Sequence, residues 1–307
     1  MAPAVDALTL TREEFERLVA DVARLAIEVA PQAADPRSTC QCRSFCTQMC
    51  PERLENIVAH GADRIGMHVA FPATAKDLAR RIDHTLLKPD ATYAEIDRLC
   101  AEAREYGFAS VCVNPVHVRR CARSLRGSPV LVCAVVGFPL GANHPDEKAY
   151  EARRCLAEGA CEIDMVINVG ALKSGDDALV RSDIEGVVAA CHETGAATKA
   201  ILETCLLSEE EKVRACRLAK EAGADYVKTS TGFAAGGATP EDVELMRRAV
   251  GPAVGVKAAG GVRDLETAMK MIRSGATRIG ASAGVRIVRE AAGEKATAAA
   301  AAAPRST

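Results

Sequence analysis

Lys228 and Lys257 each close a short apolar run and stand in front of a glycine-containing loop. The first run is Ala-Asp-Tyr-Val-Lys-Thr-Ser-Thr-Gly-Phe over residues 224–233, the second Gly-Val-Lys-Ala-Ala-Gly-Gly-Val-Arg over residues 255–263. If the two runs are neighbouring strands of one sheet, their amines lie close together. An ammonium beside another ammonium, with little water between them, has its pKa pushed down, so one of the pair can be a free amine able to attack a carbonyl carbon and form a Schiff base. An isolated lysine at a strand end points to solvent more often than not. The repetition of the pattern favours the paired reading. A third group fits the same chemistry: Asp164, in Glu162-Ile163-Asp164-Met165-Val166, where strand alternation sends Glu162, Asp164 and Val166 to one side. One carboxylate between two amines is a workable set for moving protons.

The elements that must position these groups recur along the chain. Strand-like runs centre near Ile82, Cys112, Cys133, Met165, Ile201, Val227, Val256 and Ile279, each followed by a stretch compatible with a helix. Gly107, Gly159, Gly223 and Gly275 stand just before strands, where the end of a helix calls for a left-handed residue. Eight strand–helix units spaced by about thirty residues predict an α/β fold, a (β/α)8 TIM barrel over residues 71–290. An open doubly wound sheet fits less well, because no GxGxxG follows the first strand. In a barrel the C-terminal strand ends converge on one mouth, which brings Asp83, Cys112, Asp164, Lys228 and Lys257 together. Gly232, Gly260, Gly261, Gly280 and Ser282 follow the last three strands, and short glycine loops present backbone N–H groups to an anion such as phosphate.

Bulk composition narrows the function classes. The chain has 307 residues, 49% hydrophobic but only 3% aromatic and without Trp, so its core is aliphatic. A net charge of −2 with both signs interspersed leaves no basic footprint for nucleic acid and no polybasic membrane patch. No apolar run is long enough to span a bilayer, and no signal-peptide core stands at the N-terminus; the expected location is cytoplasmic. Among 13 cysteines, nine are spread through the barrel, several in apolar runs where a reduced thiol acts as a small hydrophobe.

Residues 1–70 are expected to form a helical, Cys-containing extension to the barrel. The spacing predicts an amphipathic helix over residues 11–29, with Thr11 and Glu14 at capping-box spacing and Phe15, Leu18, Val19, Val22, Leu25, Ala26 and Val29 on one face. A Pro-containing linker closes this 1–35 segment. Such a face needs a partner, either its own domain, a second subunit or another protein. The 36–70 segment carries Cys40, Cys42, Cys46 and Cys50 before a short helix. Four thiolates within eleven residues suit zinc or an iron–sulfur cluster, and equally a redox-sensitive loop. Residues 291–307 are Ala-rich and expected to be disordered.

From about Ile82 to Val288 the chain resembles 2-deoxyribose-5-phosphate aldolase, a class I aldolase. The motifs that carry the resemblance are Ile82-Asp83-His84-Thr85-Leu86-Leu87-Lys88-Pro89, Cys112-Val113-Asn114-Pro115, Val136-Gly137-Phe138-Pro139-Leu140-Gly141, and Glu162 through Gly170. They continue with Lys199-Ala200-Ile201-Leu202-Glu203-Thr204, Val227 through Phe233, Val256 through Arg263, and Arg278-Ile279-Gly280-Ala281-Ser282. The resemblance implies reversible cleavage of deoxyribose 5-phosphate to acetaldehyde and glyceraldehyde 3-phosphate. It implies Lys228 as the Schiff-base lysine, Lys257 as the neighbour that tunes it, and Asp164 as proton relay. Asp83 and Cys112 would line the mouth, and Gly232, Gly260, Gly261, Gly280 and Ser282 would hold the phosphate. The iminium is the electron sink, so no cofactor or catalytic metal is expected. Some relatives use a tyrosine near the C-terminus in proton transfer, whereas here no Tyr follows Tyr226. Residues 11–29 also resemble the docking peptides of bacterial microcompartment enzymes, which makes a shell protein the expected partner; a homodimer is a further expectation. A barrel isomerase using the same phosphate loops, and a scaffold with an assembly role, are the competing readings.

Overall fold

The computed structural model describes Pro72 and residues 74–293. The chain divides into two units, Met1–Asp63 and Arg64–Thr307, and all described residues belong to the second. The segment expected to form the amphipathic helix, the cluster of Cys40, Cys42, Cys46 and Cys50, and the Ala-rich tail beyond residue 293 lie outside the described residues.

Eight parallel strands close on themselves in sequence order: β1 (Ile82–Leu86), β2 (Ser110–Val113), β3 (Leu131–Val136), β4 (Glu162–Val166), β5 (Ala197–Ile201), β6 (Tyr226–Lys228), β7 (Gly255–Ala259) and β8 (Arg278–Ala281). The ring is sealed where Ile82, Asp83 and His84 register with Ile279, Gly280 and Ala281. Helices follow the strands: α1 (Ala75–Ala79) before β1, then α2 (Tyr93–Tyr106), α3 (Val118–Ser124), α4 (Pro145–Ala157), α5 (Val169–Lys173), α6 (Asp177–His192), α7 (Glu209–Glu221), α8 (Pro240–Val250), α9 (Leu265–Arg273) and α10 (Gly284–Ala291). This is the expected TIM barrel.

Local sequence explains the punctuation. Thr92 with Glu95 and Ser208 with Glu211 form reciprocal capping boxes that start α2 and α7, each cap stabilising its helix by about 1 kcal/mol. The four glycines ahead of strands all take positive φ: 68° at Gly107, 109° at Gly159, 85° at Gly223 and 111° at Gly275. The helix can therefore stop and the chain turn directly into the next strand.

Alternation then sorts side chains into two populations. Val111, Val113, Ile163, Met165, Val227, Val256 and Ile279 face outward into the main aliphatic core under the helices. A small separate group, Leu87, Cys112, Cys133 and Val135, packs with Phe138. All nine described cysteines are free thiols; Cys161 and Cys205 are exposed and the other seven buried. A buried ion pair braces the top of β4 from behind: Lys148 Nζ donates to Asp183 Oδ2 at 2.6 Å and to the Val166 carbonyl at 2.9 Å. No helix among the described residues is long and apolar enough to cross a membrane.

Candidate active site

β6 is the shortest strand, ending at Lys228, which registers directly with Lys257 on β7. The sequence reading put the site residues at strand ends, and the structure corrects that picture for three of them. Asp83 is the second residue of β1, and Asp164 and Lys257 are the third residues of β4 and β7. These groups start inside the barrel, so the site is a packed layer of charge below the loops.

Asp164 is the hub. Its Oδ2 accepts from Lys228 Nζ at 2.8 Å and Lys257 Nζ at 2.7 Å. Two lysine nitrogens on one oxygen are separated by no more than two hydrogen-bond lengths. Its Oδ1 accepts from Lys199 Nζ at 2.8 Å and from the Cys133 thiol at 3.0 Å. Cys112, registered with Cys133, places its sulfur 4.0 Å from Oδ2. A second tier of charge lies against the first. Asp83 meets Lys257 at 2.5 Å and Arg278 at 2.7 Å, while Glu162 meets Lys199 at 2.7 Å and Arg278 at 3.1 Å.

Burial alone would raise the pKa of Asp164, but Lys199, Lys228 and Lys257 outweigh it and hold the carboxylate well below its ordinary range. Asp83 is depressed in the same way, its desolvation overcome by Arg278, Lys257 and Lys199. Burial would lower the lysines; instead Asp164 with Asp83 raises Lys257, and Asp164, Cys133, Glu162 and Asp83 raise Lys199. Four basic side chains, Lys199, Lys228, Lys257 and Arg278, thus share three buried carboxylates, Asp83, Glu162 and Asp164. One positive charge is in surplus.

This network makes an acid-stability prediction. A carboxylate whose pKa is depressed on folding contributes stability fully above its unfolded value, near 4, and loses it as the pH falls through and below that value. At pH 7, Asp83→Asn leaves Lys257 and Arg278 short of a partner and should lower unfolding free energy by about 3–5 kcal/mol. Urea midpoints at pH 7 and pH 3 should show the gap between variant and wild type shrinking at the lower pH.

Gly232 (φ 86°) and Gly261 (φ 81°) are exposed in the loops after β6 and β7, with Gly260 (φ 89°) beside Gly261. Ser282 is exposed just after β8. Gly280 lies within β8 itself, not in the loop beyond it. A Cβ there would come within 3.0 Å of Lys257 Cε and 2.9 Å of the Ala259 Cβ, so this glycine makes room for the Lys257 stem.

Sequence reasoning assigned no chemistry to Lys199, Arg278 or Cys133. Their signal was a polar or ionisable residue in an otherwise apolar strand, on the same parity as Asp164. The aromatic pair at the mouth was also missed: Phe138, packed against the cluster of Leu87, Cys112, Cys133 and Val135, meets Phe233 edge-on with ring centroids 5.3 Å apart.

Comparison with known proteins agrees with this geometry. Residues 78–291 match the model of the DeoC/LacD family aldolases. The chain is 63% identical over 212 residues to a deoxyribose-phosphate aldolase of a Geobacillus species, covering 69% of this chain and 95% of the relative. It is 61% identical over 214 residues to deoxyribose-phosphate aldolase 1 of Bacillus licheniformis, covering 70% and 96% respectively. Among solved structures, the tetrameric deoxyribose phosphate aldolase of Aeropyrum pernix superposes with a TM-score of 0.67 at 34% identity, covering 77% of this chain and 97% of that one. With the barrel and the match over 78–291 in agreement, this chain belongs to the DeoC/LacD aldolase family.

Proposed function

We propose that this protein is a deoxyribose-phosphate aldolase that cleaves 2-deoxy-D-ribose 5-phosphate reversibly to acetaldehyde and D-glyceraldehyde 3-phosphate through a Schiff base on Lys228. The observation that carries the reading is the surplus basic group. Burying a net charge is unfavourable, so one of the four bases is best left unprotonated. Arg278 cannot serve. Lys199 and Lys257 each touch two or more carboxylates, whereas Lys228 touches Asp164 alone, on an oxygen it shares with Lys257. Lys228 is therefore the lysine least engaged by carboxylates and the one assigned to attack the carbonyl.

The steps follow from that assignment. The Lys228 nitrogen adds to the C1 aldehyde of the sugar to give a carbinolamine, which takes up a proton and loses water as the iminium forms. Loss of the C3 hydroxyl proton then drives the C2–C3 electron pair into the iminium. This releases glyceraldehyde 3-phosphate and leaves an enamine. Protonation at C2 and addition of water free acetaldehyde and restore the amine. Asp164, bonded to both lysines, relays these protons, while Lys257 stays ammonium and supplies a fixed positive field. Gly232, Gly260, Gly261 and Ser282 take the phosphate at the opposite rim, and Asp83, Gly280 and Cys112 shape the floor beneath. Incubating the protein with deoxyribose 5-phosphate and assaying both aldehydes tests the reading: equimolar release supports it, and isomerisation of the sugar without cleavage would refute it.

The same proposal extends to the remaining parts of the chain. Residues 11–29 dock the enzyme to a microcompartment shell protein in the cytoplasm, a reading supported by the amphipathic spacing and the linker. Deleting residues 1–35 should abolish co-sedimentation with shell proteins and leave cleavage within about twofold of wild type, because the Asp164 cluster lies wholly in the barrel. Cys40, Cys42, Cys46 and Cys50 either hold zinc or an iron–sulfur cluster or form a redox-sensitive loop, and metal and sulfide assays on anaerobically purified protein distinguish the two. A homodimer is the proposed assembly, to be read by sedimentation.

A further inference from the structure

Glu203 is the one non-glycine residue with positive φ among the described residues, at φ 57° and ψ 63°. L side chains rarely adopt that conformation. Its side chain is also unusual, a carboxylate only 4% exposed. Among the described residues it meets Thr231 and the thiol of Cys205, and no cation. Both oxygens accept the Thr231 N–H at 3.3 Å, and one accepts the Thr231 hydroxyl in a short hydrogen bond. A strained backbone and a buried carboxylate without a counter-ion are both unfavourable, and such features persist where the site needs them.

What the carboxylate holds is the turn beyond the reactive lysine. Lys228 itself is secured without it, by register with Ile201 on β5 and Lys257 on β7, by Leu202 N–H donating to its carbonyl at 2.9 Å, and by Asp164. Past Lys228 the backbone pairing runs one residue further, Thr229 N–H donating to the Lys257 carbonyl at 3.1 Å and the Thr229 carbonyl accepting the Thr204 N–H at 2.9 Å. Thr231 is tied to Glu203, and the Thr231 hydroxyl oxygen in turn accepts the Phe233 N–H at 3.0 Å. The two N–H groups flanking Gly232 are thus turned inward, which leaves Gly232 as the exposed point of the turn at the mouth. The same chain of bonds seats the Phe233 ring against Phe138.

We infer that Glu203 is a positioning residue: acting through Thr231, it fixes the Gly232 turn so that this turn engages the phosphate end of the sugar, while leaving the Schiff-base lysine unaffected. The inference rests on the aldolase reading above and deepens it. Loss of the brace should then appear in KM for a phosphorylated substrate and much less in kcat.

The test is steady-state cleavage of 2-deoxyribose 5-phosphate and of unphosphorylated 2-deoxyribose by Glu203→Gln, Glu203→Gly, Thr231→Val and Thr231→Ser. Glu203→Gly suits the left-handed backbone and so removes the carboxylate without the strain. Thr231→Ser keeps the hydroxyl. Expected is a rise of about tenfold or more in KM for the phosphorylated sugar in the Gln, Gly and Val variants, with kcat and the unphosphorylated reaction changing less than about threefold, and near-wild-type values for Thr231→Ser. Wild-type KM values in Glu203→Gly and Thr231→Val, or equal losses on both sugars, would overturn it. Borohydride trapping of acetaldehyde on the same proteins separates the two layers: a wild type that neither traps nor cleaves removes the aldolase reading, whereas intact trapping with unchanged KM removes only the role of Glu203.

Discussion

Lys228→Ala is expected to lower kcat for deoxyribose 5-phosphate cleavage by at least about 10⁴-fold, leaving no turnover above background. The covalent step has no substitute. Lys257 and Lys199 keep their protons against two or more carboxylates, and neither amine stands at the end of its strand. The same substitution should leave the fold intact, because Asp164 still has Lys199 and Lys257 and the charge balance of the buried cluster is unchanged. Stability in urea unfolding should therefore fall below wild type only by what the buried apolar stem contributes, about 2 kcal/mol. Retained turnover, or a large loss of stability, would show that the charge accounting is wrong.

Lys257→Leu should reduce kcat by about 10²–10⁴-fold, the range for loss of a positioned proton-transfer or electrostatic group. The informative part is the dependence on pH. With Lys257 gone, Lys199, Lys228 and Arg278 stand against Asp83, Glu162 and Asp164, so no basic group is in surplus and Lys228 retains its proton. Activity should recover as the pH rises, moving the optimum upward. A kcat–pH profile measures this directly, and a fall of equal size at every pH would reduce Lys257 to a spacer.

Much of the architecture was legible because barrel strands and their entry turns leave local traces. An apolar run near Met165 or Val256 and a glycine such as Gly223 or Gly275 report on a few residues of backbone and need no knowledge of the rest. Lys228 and Lys257 were legible for a related reason, as neighbouring strands in sequence are also neighbours in the sheet. The deeper part of the charge network was not legible. Arg278 meets Asp83 across 195 residues, and only closure of β8 onto β1 brings them together. Lys199 looks like an ordinary charged residue until the register of β4 with β5 sets it opposite Asp164. Glu203 leaves no pattern at all in the sequence, since its left-handed backbone and its Thr231 contacts exist only once β5 and β6 are side by side. The placing of Asp83, Asp164 and Lys257 at strand ends failed because lysine and arginine stems are long enough to bring strand-interior positions to one centre.

The central claim is that, of the three lysines gathered on Asp164, Lys228 alone is poised to capture a carbonyl carbon. Incubation of the wild-type protein with acetaldehyde and borohydride, followed by peptide mapping by mass spectrometry, tests it most directly. The account predicts a single two-carbon adduct on the peptide containing Lys228, with Lys199 and Lys257 unmodified. An adduct on Lys257 or Lys199, or none at all in protein that still cleaves the sugar, would contradict it.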